Sequence, residues 1–117
     1  MVAVGGDGWP ADAIILTSTD GAAYSTTYEF SHEKLLDVVA TASGFVAAGG
    51  ITELLCGPML MFSPDGSSWS WPSISGSGED IPCDYEALAA VGNRVVVVGQ
   101  GKAAVSIDGG STWVAAH

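Results

Sequence analysis

Apolar residues in this chain come in short runs, and each run is closed by Gly, Asp, Asn or Ser. The runs are Val2-Ala3-Val4, Ala13-Ile14-Ile15-Leu16, Tyr24 to Tyr28, Leu36-Asp37-Val38-Val39-Ala40, Phe45 to Ala48, Met59-Leu60-Met61-Phe62, Ser68 to Trp71, Leu88 to Val91, Val95 to Val98, Ala103 to Val105 and Thr112 to Ala115. Short runs rich in Val, Ile, Tyr, Trp and Thr, bounded by turn formers, predict strands. Two segments compete, because Ser31 to Ala42 and Asp84 to Val91 contain Glu, Lys, Leu and Ala, which are good helix formers. Strand is the reading preferred for both. Each falls at the same place in a repeat, just before a Gly or Asn turn and another apolar run.

The repeat is carried by a turn motif written three times. It reads Ser18-Thr19-Asp20-Gly21 with Tyr24, Ser63-Pro64-Asp65-Gly66 with Trp69, and Ser106-Ile107-Asp108-Gly109-Gly110 with Trp113. The aspartates stand 45 and then 43 residues apart. Asp-Gly between two apolar runs predicts a hairpin, since Gly accepts positive φ and the Asp carboxylate accepts hydrogen bonds from nearby backbone N–H groups. Upstream, Val2 to Gly6, Phe45 to Gly50 and Val95 to Gly99 correspond, as do Leu36 to Ala40 and Leu88 to Val91. One unit is thus four short strands, with the motif between the third and fourth. Four antiparallel strands in a unit of about 40–50 residues is a propeller blade by length and strand count.

The third copy, Ser106-x-Asp108-x-Gly110-x-Thr112-Trp113, matches the full Asp-box pattern. The second lacks one turn residue, and the first has Tyr24 in place of Trp. On these motifs the chain resembles the Asp-box (BNR, bacterial neuraminidase repeat) β-propellers, a group that includes sialidase-like and sortilin-like members. The resemblance implies an all-β fold in a single domain over residues 1–117, with blades at about 1–30, 34–73 and 86–117. The first blade lacks its first strand. It also implies that Asp20, Asp65 and Asp108 serve the turns, while Tyr24, Trp69 and Trp113 wedge between sheets. Three blades do not close a ring, which needs roughly 4–8. Two chains would supply six, and twofold dimers are the commonest closed assembly. The expectation is therefore a homodimeric six-bladed ring, with a fragment of a longer propeller as the alternative.

Charge adds a direction. Against 13 Asp and Glu stand Lys34, Arg94 and Lys102, for a net charge of −10 over 117 residues. By strand order, Asp7, Asp12 and Glu53 fall in loops between second and third strands. Glu29, Glu33, Glu79, Asp80, Asp84 and Glu86 fall between consecutive units. Both loop types share one face, which the resemblance makes the ligand face. A negative face repels nucleic acid and anionic membranes and attracts cations or basic partners; equally, acidic loops keep an apolar domain soluble. No apolar run is long enough for a transmembrane helix, and no signal-peptide pattern is visible at Met1 to Gly5.

Three kinds of chemistry can be weighed. Sialidase-type recognition of a carboxylate takes three arginines, and this chain has only Arg94, in a turn on the opposite face. A glycosidase needs two carboxylates about 5–10 Å apart. Asp7, Asp12, Glu53, Asp80 and Asp84 lie on the right face for that, with Trp9 and Tyr85 available to stack on sugar. The acidic group at Glu79, Asp80, Asp84 and Glu86 fits no established calcium loop. Cys56 and Cys83 lie in neighbouring loops and can pair in an oxidising compartment. With only His32 and His117 besides, neither a zinc site nor any cofactor is expected. The sequence reading is a non-catalytic binding protein that uses its acidic loop face, with carbohydrate, cation or basic protein as ligand. A glycoside hydrolase and a propeller fragment without a ligand of its own are the alternatives.

Overall fold

The computed structural model describes residues 2–7, 12–17, 25–31, 33–51, 58–75 and 85–116, and over these residues the protein is all-β. Sheet 1 is the antiparallel meander β1 (Val2–Asp7), β2 (Asp12–Thr17) and β3 (Ser25–Ser31). Sheet 2 repeats it with β4 (Glu33–Ala40), β5 (Phe45–Ile51) and β6 (Pro58–Ser63). Sheet 3 is built from β7 (Ser73–Ser75), β8 (Ala87–Val91), β9 (Arg94–Gly99), β10 (Lys102–Ser106) and β11 (Thr112–Ala116). Its order is β7-β11-β10-β9-β8, antiparallel throughout except for the parallel β7–β11 pair.

Local sequence explains the elements. In β9 the run of valines alternates strictly, with Val95 and Val97 buried and Val96 and Val98 exposed. A two-residue loop, Gln100-Gly101, joins β9 to β10. Both residues have positive φ, as a type I′ turn requires. Both segments that also read as helix are strands, β4 and β8. A helix buries one stripe, whereas β4 must bury both faces. Leu35 and Val38 pack toward sheet 1, and Val39 packs toward sheet 3.

The first unit has the three strands expected of it, whereas the second and third, expected to hold four antiparallel strands each, form sheets of three and five. The difference lies after Trp69. Ser70 makes a two-way bridge to Phe62, with both N–H···O distances near ideal at 2.9 and 3.0 Å, and pairing with β6 stops there. Pro72, two residues on, has no N–H to continue a ladder. The chain then crosses to β11 as β7.

The three sheets stack face to face. One core, between sheets 1 and 2, holds Ile15, Leu35, Ala47, Met61 and Trp69, with Val2, Val4 and Phe45 against it. The other, between sheets 2 and 3, holds Val46, Ala48, Leu60, Tyr85, Val95, Val97, Ala104 and Trp113. Each motif Trp is thus the wedge between its own sheet and the one before.

Candidate functional site

The two ends of the sheet stack differ in chemistry. At one end lie the Ser-x-Asp turns. In the second copy, the buried Ser63 Oγ accepts from the N–H groups of Gly66 (2.7 Å) and Asp65 (3.3 Å) and donates to Asp65 Oδ1. That Oδ1 also accepts from the N–H groups of Ser67 and Ser68 at 2.8 and 2.9 Å. The third copy repeats the scheme. Ser106 Oγ accepts from Gly110 N–H at 2.9 Å, and Asp108 accepts from Thr112 N–H, Thr112 Oγ1 and Ser106 Oγ. In both turns the indole Nε1–H donates to the carbonyl of the glycine three residues earlier, Trp69 to Gly66 (3.0 Å) and Trp113 to Gly110 (2.8 Å). Hydrogen bonds from Thr112 hold the Asp108 carboxyl well below the usual carboxylate range. Those from Ser68 and Ser67 lower Asp65.

The turns at this end are also tied to one another. Ala42 N–H donates to Gly92 O, Gly109 N–H to Asn93 O, Thr41 Oγ1 to Gly109 O, and Ser43 Oγ to Asn93 Oδ1. These bonds join sheet 2 to sheet 3 and the Asp108 turn to its neighbours. The polar groups of the two Asp turns are thus engaged in structure.

Strand direction puts acidic residues at the opposite end. Asp7 pairs with Asp12 where β1 meets β2, Glu33 opens β4, and Glu86 immediately precedes β8. The strand ends flanking 52–57 and 76–84 lie there too. Glu53, Asp80, Asp84, Trp9, Cys56 and Cys83 fall outside the described residues, as do Asp20 and Tyr24. Among the described residues no three His, Cys, Asp or Glu side chains come together as metal ligands do.

Tyr85 is described, and it stands in the core. Its ring is fully buried between sheets 2 and 3, its N–H donates to Gly49 O at 2.9 Å, and its hydroxyl has no hydrogen-bond partner among the described residues. Burial pushes the phenol above its ordinary value. A ring with no exposed face cannot stack on a sugar, so the stacking role expected of Tyr85 is corrected to a packing one.

Sequence reasoning passed over two residues. Asp37 lies within the apolar run Leu36 to Ala40, and the sequence reading gave it no role. It sits inside β4 at a register shift, where Oδ1 accepts from Val38 N–H and Oδ2 from Leu88 N–H of β8 at 2.8 Å. That second bond satisfies an edge-strand donor of the next sheet, and the signal was an acid in an otherwise apolar run. Trp71, two residues beyond the buried Trp69, is 57% exposed because the chain has already left the ladder. Comparison with protein-family models, with curated proteins and with solved structures gives no match.

Proposed function

We propose that the three sheets are Asp-box propeller blades, that two copies close a six-bladed ring, and that the protein is a non-catalytic binding module acting through its acidic end. The observation that carries this reading is the division of labour between the two ends. At the Asp-turn end the serines, aspartates and backbone groups of the turns are committed to each other. At the other end Asp7, Asp12, Glu33 and Glu86 gather by topology, and the sequence adds Glu53, Glu79, Asp80 and Asp84 in the flanking segments. Clustered negative charge of this kind raises the local concentration of cationic ligands, and salt weakens it. The ligand class that fits is a basic peptide or protein segment.

The test is calorimetric titration with a lysine-rich peptide at about 20 mM and about 500 mM salt, on either side of a Debye length of 10 Å. Binding at low salt that weakens at least tenfold at high salt is the expected result. No binding at low salt, or binding indifferent to salt, overturns the acidic-end reading.

A further inference from the structure

We infer that the open face of sheet 3 is the seat of a second copy of this chain, which presents its sheet 1 there as sheet 3 presents itself to sheet 2. The inference rests on the blade reading above and identifies the surface that would join the copies.

The two junctions inside the chain use one contact in one register. A Cβ on Gly66 would lie 3.2 Å from Val2 Cγ2, and one on Gly110 would lie 2.2 Å from Val46 Cγ2. Each glycine stands three residues before its Trp, and each seat valine lies in the preceding sheet. The seat is defined by pairing. Val2 pairs with Thr17 and Val46 with Phe62, and each partner is the residue just before a motif serine. The third member of that series is Val96, which pairs with Val105, the residue before Ser106. Two residues on, Val4, Ala48 and Val98 correspond in the same way.

The first two seats are covered. Val2 and Val4 lie against the core between sheets 1 and 2, and Val46 and Ala48 are buried between sheets 2 and 3. The third is bare, with Val96 40% and Val98 43% exposed and Val114 60% exposed beside Val105. An apolar face of this kind marks an interaction surface. The sequence writes the same spacing a third time, with Gly21 three residues before Tyr24. Among the described residues no turn covers the third seat, and a second copy supplies a unit of the kind that covers the other two.

Asp37 shows why sheet 1 of a second copy is the occupant. Its carboxylate receives Leu88 N–H from β8, the innermost strand of the following unit. Asp37 pairs with Ala48, and the residue of sheet 3 in the same register, paired with Val98, is Ala87. A following unit with an innermost strand would bring an N–H to that place and find no acceptor. Among the described residues sheet 1 holds three strands, β1 to β3, and its first corresponds to β5, not to β4. The apolar residue at position 87 suits a partner that brings no donor there.

The experiment is light scattering on a sizing column with the full chain, Val96→Lys, Val98→Glu and, as a control on another exposed apolar position, Leu36→Lys. Circular dichroism confirms that each variant retains its strands; two seat variants are used so that one misfolding variant does not decide the outcome. The expected result is a wild-type dimer, a dimer for Leu36→Lys, and half that mass for folded Val96→Lys or Val98→Glu. A wild-type dimer indifferent to both seat variants overturns the inference and the six-bladed ring with it, because that ring joins its copies only through this junction, and leaves the acidic-end reading to the peptide titration. A larger oligomer that the seat variants reduce to monomer supports the seat and overturns the ring of six. A wild-type monomer overturns both seat and ring, while the acidic-end reading is still decided by the peptide titration.

Discussion

At the scale of single residues, the structure turns on two buried serines and the aspartates they serve. Ser106 Oγ satisfies the N–H of Gly110, a glycine whose backbone is held at φ +111 against Val46. Ser106→Ala leaves that buried donor without a partner, at a cost of about 1–3 kcal/mol, to be read as a lowered midpoint in urea denaturation. Asp108 responds to pH instead. Its folded pKa is depressed, so its stabilisation is complete above the unfolded value near 3.8 and is lost as pH falls through the folded value. Asp65 acts in the same direction. The urea midpoint should therefore hold steady from neutral pH down to about 5 and fall progressively below it. Asp108→Asn should show a smaller fall over the same range. An identical acid response in the variant would mean that other carboxylates dominate.

At the scale of elements, Asp37 gives β4 a role beyond its own sheet. Asp37→Ala removes the acceptor for Leu88 N–H and exposes the edge of β8. For a part-buried carboxylate the expected loss is at the lower end of about 1.5–3 kcal/mol. Hydrogen exchange should show the effect locally, with the Leu88 amide exchanging faster and the amides of β2 unchanged. Unchanged exchange at Leu88 would show that the bond contributes nothing to the sheet 2–sheet 3 junction. This bond also marks where sequence reading stops. The motif spacing and the short apolar runs were enough to place most of the strands and both described turns, because those signals are local, but Ser68 to Trp71, read as a strand, makes only the bridge at Ser70. The ambiguous segments resolved as strands because their apolar residues serve two cores, which the repeat position anticipated. The transfer of β7 to sheet 3 was not legible, since it depends on Pro72 ending one ladder and on β11 offering an open edge to another. Tyr85 misled for a related reason. Its place beside an acidic loop suggested exposure, yet its ring lies between two sheets that are brought together only in the fold.

At the scale of the molecule, the stack is a body of 40 × 35 × 18 Å whose two cores join sheet 1 to sheet 2 and sheet 2 to sheet 3. Stability in such an array is a sum of unit terms and nearest-neighbour interfaces, so a terminal unit with one bare face opens most easily. Sheet 2 has a partner on both sides, whereas among the described residues sheet 3 has one through Val95, Val97 and Trp113 and none through the exposed Val96 and Val98. If a second copy covers that bare face, its binding stabilises sheet 3 by mass action, and the stabilisation grows with protein concentration. Amide exchange in β9 and β10 should then slow as concentration rises through the range where the dimer forms, while exchange in β5, already enclosed, changes little. Val96→Lys should remove the concentration dependence without altering β5. Exchange in β9 that stays the same across that range while the mass doubles would place the contact between copies on some other surface.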